Sequence, residues 1–158
     1  PQRLGAPDME PRGQRGVGYG WAARYWGMIG REYTDRADLW PLDPKGDLLL
    51  FIMIESSEAV ANIEEIVRVP GIGGVFLGPG DLSFSLGVDE SDPRVEEATQ
   101  KVLAAAKKAG VPCGTVGEYR TIGPRLDQGF RFLVISADGN IASAVGHAIE
   151  ERDKRFKK

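Results

Sequence analysis

From Leu48 onward the chain repeats one pattern four times: a short apolar run, a turn, then an amphipathic stretch. Leu48-Leu-Leu-Phe-Ile-Met-Ile54 is an unbroken apolar run of seven, long enough for a strand and short for a helix. A strand covered on both faces reads this way, which is the mark of a parallel sheet flanked by helices. Ser57 is placed to cap the helix that follows, in which Ala59, Ile63, Ile66 and Val67 share one face and Glu64 and Glu65 turn outward. Pro70-Gly71 stops it. Gly74-Val-Phe-Leu77 reads as the second strand, followed by the turn Gly78-Pro79-Gly80-Asp81.

Ser91-Asp92-Pro93 is a helix start, a cap followed by Pro at the first helical position. The helix runs to Ala109 with Val95, Ala98, Val102, Ala105 and Ala109 on one face, and Gly110 ends it. Val111-Pro-Cys-Gly114 is the third strand, residues 119–128 a helix ending at Gly129, Phe130–Ile135 the fourth strand, and residues 141–158 a closing helix. Strands alternating with helices at this spacing predict a parallel α/β architecture. Residues 1–47, rich in Pro, Gly and Arg and then in Trp and Tyr, read as loop and short helices leading into it, so that residues 48–158 hold four βα units of a single domain.

Composition narrows the function classes. A chain of 158 residues with 42% hydrophobic and 27% charged side chains is not a disordered one. No apolar run approaches the roughly 20 residues that span a bilayer. The single cysteine, Cys113, excludes an internal disulfide and fits a reducing compartment. A net charge of −3 gives no broad basic footprint for nucleic acid or membrane. The expectation is a cytoplasmic protein with neither of those partners.

In parallel α/β folds ligands bind where the strands end, at their carboxyl edge. The residues immediately after the apolar runs are therefore the candidates: Glu55-Ser56-Ser57, Gly78-Pro79-Gly80-Asp81, Gly114-Thr115-Val116 and Ser136-Ala137-Asp138. Glu55 and Asp81 stand out. On neighbouring strands about 4.8 Å apart, two carboxylates repel unless a proton or cation lies between them. An oxygen-preferring ion such as Mg²⁺ or Mn²⁺ suits them, with water and substrate completing its shell. The alternative is that Glu55 caps the next helix and Asp81 caps the turn that follows it. Gly78-Pro79-Gly80 likewise fits either an anion cradle, in which backbone N–H groups approach a carboxylate, or an ordinary tight turn.

Met53-Ile-Glu-Ser56, then Pro70-Gly-Ile-Gly-Gly-Val-Phe-Leu-Gly-Pro-Gly-Asp-Leu-Ser83, with Pro11-Arg-Gly-Gln-Arg-Gly-Val-Gly18 upstream, resemble the HpcH/HpaI aldolase/citrate lyase family over nearly the whole chain. The resemblance is strongest to its class II, metal-dependent pyruvate aldolases. It implies the later half of a (β/α)₈ TIM barrel, with a divalent ion (Mg, Mn or Co) at the carboxyl face held by Glu55 and Asp81. It implies that Gly78, Gly80 and Asp81 receive the carboxylate of pyruvate or another 2-oxoacid, and that an aldehyde is the second substrate. The implied reaction is reversible aldol cleavage of 4-hydroxy-2-oxoacids through a metal-stabilised enolate, whose growing oxygen charge a Lewis acid offsets.

The departures matter equally. The family's catalytic His and an Arg come from early strands that have no counterpart here, so no catalytic base is identified. The only histidine, His147, falls on the last helix, where a structural or solvent role is expected. The family's Gln two residues before the metal Glu is here Met53. Alternatives are therefore a non-catalytic metal and 2-oxoacid binding fragment, or a citrate-lyase-like thioester lyase. Arg12, Arg15 and Arg24 are candidates for an acidic substrate or for loop and subunit contacts. Trp21, Tyr25, Trp26, Tyr33 and Trp40 read as packing or an oligomer interface, Cys113 as buried and inert, and Asp138 as a cap of the last helix. Four strands cannot close an eight-stranded barrel. Since the chain opens at Pro1 without Met, the expectation is completion by a missing N-terminal half, or association with a partner chain or a second copy.

Overall fold

A computed structural model describes residues 18–40, 42–118, 120–135 and 141–156. They cluster into two compact units, one of Pro1–Leu50 with Pro70–Gly73, the other of Phe51–Val69 with Gly74–Lys158.

In the first unit, α1 (Gly20–Tyr25) and α2 (Gly30–Arg36) are short helices. The rings of Tyr19 and Tyr33 meet at 5.9 Å, and Ala23, Ala37 and Leu39 are buried. Leu39 and Leu48 form an isolated parallel bridge. Of the aromatic cluster, the Tyr25 and Trp26 rings meet edge-on at 5.4 Å, while Trp21 and Tyr25 are each 83% exposed and Trp26 and Trp40 are also exposed. A helix of six residues presents too few positions to bury side chains of that size.

The sheet consists of β1 (Leu50–Ile54), β2 (Ile72–Leu77), β3 (Cys113–Gly117) and β4 (Phe132–Ile135). Its spatial order is β1-β2-β3-β4. β3 runs parallel to both β2 and β4, with Val75 opposite Cys113 and Gly114 opposite Phe132. Each strand lies beside its sequence neighbour with no reversal of order, which is how a (β/α)₈ barrel winds and how a doubly wound sheet with a switch point does not.

The helices follow their strands. α3 (Ser57–Ala61) and α4 (Ile63–Ile66) follow β1, α5 (Pro79–Leu86) and α6 (Pro93–Ala109) follow β2, α7 (Ile122–Gln128) follows β3, and α8 (Ile141–Phe156) follows β4. The single helix expected after β1 is two short ones broken at Asn62, and its cap is Ser56, whose hydroxyl accepts from the Ala59 N–H at 3.1 Å. Ser57 is instead the first helical residue.

α6 carries the core. Asp92 accepts from the Arg94 N–H at 3.0 Å, Pro93 follows it, and Gly110 closes the helix at φ 71°. The Arg94 side chain also donates to Asp92, and these hydrogen bonds lower its carboxyl pKa to about 2. Val95, Val102, Leu103, Ala105 and Ala106 are buried. Thr99 is buried too, satisfied by donating to the Val95 carbonyl at 2.7 Å. Ala98 is only half-buried and Ala109 exposed, so the buried face is rotated from the expected one.

The expectation of strands covered on both faces fails. Val75, Leu77, Cys113 and Thr115 are buried on the helix side. On the other face Phe51 is 47%, Met53 57%, Val116 43% and Val134 52% exposed. The Phe51 and Phe132 rings nevertheless meet edge-on at 5.0 Å, and Phe76 stacks on Phe132 at 5.8 Å. Neighbouring strands stand about 4.8 Å apart, so the two rings meet by leaning inward over β2 and β3. Two glycines permit it. A Cβ on Gly74 would lie 2.5 Å from the Phe51 ring, and one on Gly114 would collide with the Phe132 ring. Large and small residues alternate in this way inside small barrels. Gly114→Ala is expected to cost about 1–3 kcal/mol through this overpacking, read from the urea midpoint; an unchanged midpoint would mean Phe132 has room to move.

Candidate functional site

Glu55 directly follows Ile54, the last residue of β1, and is half-buried. Gly78 follows Leu77 of β2 as the N-cap of α5, its N–H donating to the Ile54 carbonyl at 3.1 Å. A Cβ at Gly78 would lie 3.6 Å from both Cβ and Oε2 of Glu55, so the Glu55 carboxylate stands beside the glycine. The sequence reading put a turn over residues 78–81. The structure starts a helix at Pro79 instead, because Pro supplies the dihedral of a first helical position and lacks only an N–H that has no partner there anyway. Asp81 thus sits in the first turn of α5, exposed.

This arrangement tests the capping alternatives. Ser56, not Glu55, caps α3, and α5 has no side-chain cap bond. Neither carboxylate makes a hydrogen bond or ion pair with another described residue. The Gly80 and Asp81 N–H groups belong to the first turn of α5, where backbone donors lack helical partners and the helix dipole favours an anion. Ser83, also in α5, donates to the Gly80 carbonyl at 2.7 Å, and Ser85 Oγ accepts from the Ser57 N–H at 3.0 Å, tying α5 to the start of α3.

The donors present fit a hard divalent cation. Two carboxylates with free lone pairs, at an open edge, match an ion that keeps several waters and takes the rest of its shell from substrate. Among the described residues no three His, Cys, Asp or Glu side chains gather as a metal cluster.

The third strand ends later than its sequence suggests. Gly114, Thr115 and Val116 lie inside β3, and the strand reaches Gly117. Its carboxyl end is Glu118, which the sequence reading missed. The register of Leu77 opposite Thr115 brings Gly117 and Glu118 level with the start of α5. Here a cavity of about 330 Å³ opens, lined among others by Pro79, Glu90, Asp92, Glu118 and Arg125. Glu90 Oε2 lies 3.9 Å from the place a Cβ on Gly80 would take. Arg125 donates to both oxygens of Glu96 at 2.7 and 2.8 Å, which holds the Glu96 carboxyl below its ordinary value.

Arg24 lies in the first unit, its guanidinium 5.9 Å from the Trp21 ring centre. Arg12, Arg15 and Asp138 lie outside the described residues. Met53 stands two residues before Glu55 on the uncovered sheet face. His147 is exposed on α8, with Nδ1 3.9 Å from Glu150. Cys113 is buried, and burial pushes its thiol up to about 12, as an inert core cysteine requires.

Fold and edge together define a barrel-type α/β protein with its polar groups at the carboxyl ends of the strands. A family model for HpcH/HpaI aldolase/citrate lyase matches residues 9–143, and the chain belongs to this family. It is 40% identical over 151 residues, 93% of this chain and 52% of the relative, to a 2-keto-3-deoxy-L-rhamnonate aldolase of Klebsiella pneumoniae subsp. pneumoniae. It is 34% identical over 134 residues, 83% of this chain and 50% of the relative, to a hydroxypyruvate/pyruvate aldolase of Sagittula stellata. The crystal structure of an HpcH/HpaI aldolase/citrate lyase family protein from Burkholderia cenocepacia J2315 superposes with a TM-score of 0.72 at 31% identity, covering 95% of this chain and 56% of that one. The chain thus spans about half the length of the relatives it matches. Among the described residues no helix is long and apolar enough to cross a membrane.

Proposed function

We propose that this chain carries the metal and 2-oxoacid site of a class II pyruvate-dependent aldolase, which cleaves 4-hydroxy-2-oxoacids reversibly to pyruvate and an aldehyde. The observation that carries the reading is the pair Glu55 and Asp81, two carboxylates without partners among the described residues, set beside a glycine-opened helix start. The family and the aldolase names of its relatives support it.

In this reading Glu55 and Asp81 hold a divalent cation by their carboxylate oxygens. The Gly80 and Asp81 N–H groups donate to the carboxylate of the 2-oxoacid, and the α5 dipole adds to their pull. Gly78 keeps the approach open, since it places no side chain against Glu55. When bound, the cation supplies Lewis-acid stabilisation for the negative charge that develops on the 2-oxo oxygen. That role needs no lysine Schiff base, and no described strand ends on a lysine. The uncovered face of the sheet supports completion by further strands, from a longer protein or a second chain.

Deuterium incorporation into the pyruvate methyl group tests the reading, because it requires only enolisation and no aldehyde. Incorporation that depends on added Mg²⁺ or Mn²⁺ and stops with a chelator is expected. Metal binding without incorporation would favour the second reading, a binding fragment, for which the unassigned base speaks.

A further inference from the structure

The four strands form an arc whose two edges match each other. β1 to β4 lie side by side in sequence order, and β3 runs parallel to β2 and to β4. Among the described residues no strand lies beyond β1 or beyond β4, and the bridge from Leu39 meets Leu48, before β1 begins. Such an edge, with unpaired N–H and C=O groups, is a template for another strand. On the uncovered face Phe51, Met53, Val116 and Val134 stay about half open to water. α8 points to the same absent neighbour. Glu151 and Arg155 turn toward α7, where Arg155 donates to Asp127 at 2.6 Å and to the Gly123 carbonyl at 3.1 Å. Roughly a quarter turn around the helix, Ile141, Val145 and Ile149 form a stripe that is also about half exposed. A helix of this length is marginal alone in water and takes its stability from a packed apolar face. The helices of a (β/α)₈ barrel form a closed outer ring, and the flank of α8 turned from α7 is where that ring continues.

We propose that a second copy of this chain closes the barrel. A half turn about the barrel axis sets the copy's β1 beside β4 and its β4 beside β1. Both seams are then parallel, and eight strands close. Twofold pairs are the commonest closed symmetry, and this one removes both free edges at once. The half-open residues of the sheet face and of α8 leave roughly 600 Å² per copy to bury, against about 800 Å² per partner in a standard interface. The two strand edges add to that area. All eight carboxyl ends then lie on one side, so the Glu55 and Asp81 of both copies open into one mouth, and each copy walls the other's site. The inference stands on the sheet and α8, and it holds whether or not a cation binds.

Sedimentation equilibrium of the full 158-residue chain reads its mass in solution. A dimer of twice 17.2 kDa is expected. Val134→Glu, which sets a carboxylate without a partner inside the closed barrel, should weaken it at least a hundredfold. Val145→Glu on the α8 stripe should weaken it less, by about tenfold. Trp21→Ser, on the exposed aromatic surface of α1, should leave it unchanged. Circular dichroism checks that each variant folds. Should Val134→Glu not fold, amide exchange in the unaltered chain decides instead: the amides of β1 and β4 should exchange more slowly as concentration rises. A single chain at every concentration would overturn the inference and leave the face to further strands of a longer protein. A dimer that survives Val134→Glu, that Trp21→Ser splits, or that leaves exchange in β1 and β4 unchanged would overturn it too, by placing the contact elsewhere.

Discussion

Replacing Glu55 with Ala is expected to weaken Mn²⁺ binding by about a hundredfold or more, and Asp81→Ala to do the same. Each change removes one of two protein oxygens from the proposed cation. Groups that merely orient a ligand already contribute 10- to 100-fold in other sites, so direct ligands should reach or exceed that range. The free Mn²⁺ signal in electron paramagnetic resonance reads the affinity directly. Glu65→Ala is the control, since Glu65 is an exposed acid on α4, away from the strand ends. Because neither Glu55 nor Asp81 has a partner among the described residues, thermal stability should change little in either variant. Wild-type affinity in either variant would remove that residue from the site. A fall in stability matching the fall in affinity would mean that folding, not ligation, was lost.

The second large effect falls on the core. Phe130 precedes β4 and is 1% exposed, with the Arg125 guanidinium 5.6 Å from its ring centre. Its N–H donates to the Arg125 carbonyl, and the next N–H, of Arg131, donates to the Cys113 carbonyl at 2.8 Å. The ring thus fills the space where α7 turns back into the sheet. Phe130→Ala is expected to cost about 3–5 kcal/mol through lost burial and the cavity left behind. That is a large part of the 5–15 kcal/mol that holds a typical domain folded. Phe130→Leu, which keeps most of the volume, should cost less than half as much. Urea denaturation followed by circular dichroism measures both. A loss below about 1 kcal/mol for Phe130→Ala would show that the site relaxes around the gap.

Much of this could be read in the sequence, and the failures have physical causes. The four apolar runs located all four strands because a parallel sheet keeps its strands apolar whichever face is covered. The same fact hid the uncovered face: a run such as Leu50–Ile54 looks alike whether Phe51 and Met53 meet helices or nothing. The end of β3 was placed at Gly114 because the apolar run stops there, whereas the strand continues to Gly117. Gly114 is in the strand to make room for the Phe132 ring, a contact between residues 18 apart that no local pattern records. The start was placed too early, at Val111, because Pro112 lacks the N–H that a ladder needs and the strand begins at Cys113. Misplacing that end is what hid Glu118.

At the site, Glu55 and Asp81 were legible because each closes a strand or the segment just after it, and position there follows from the strand runs alone. Their freedom from helix-capping was not legible. Ser56 and Ser57 are adjacent, both are good caps, and only the backbone decides between them. Gly78-Pro79-Gly80 reads equally as a turn or as a helix start until the N-cap geometry is known. The arginines of the leading segment carry no such positional signal, and their part in the site stays with the expectation drawn from sequence.

In the proposed site Glu55 and Asp81 hold a cation that lets a 2-oxoacid lose a proton from C3. Deuterium incorporation into pyruvate in heavy water, with and without Mn²⁺ and followed by mass spectrometry, decides this. It should be run on the full chain and on Glu55→Ala and Asp81→Ala. Incorporation that requires the metal and falls to the solvent rate in both variants is expected. Incorporation that proceeds without metal and survives both substitutions would contradict it, and would place the chemistry elsewhere in the chain.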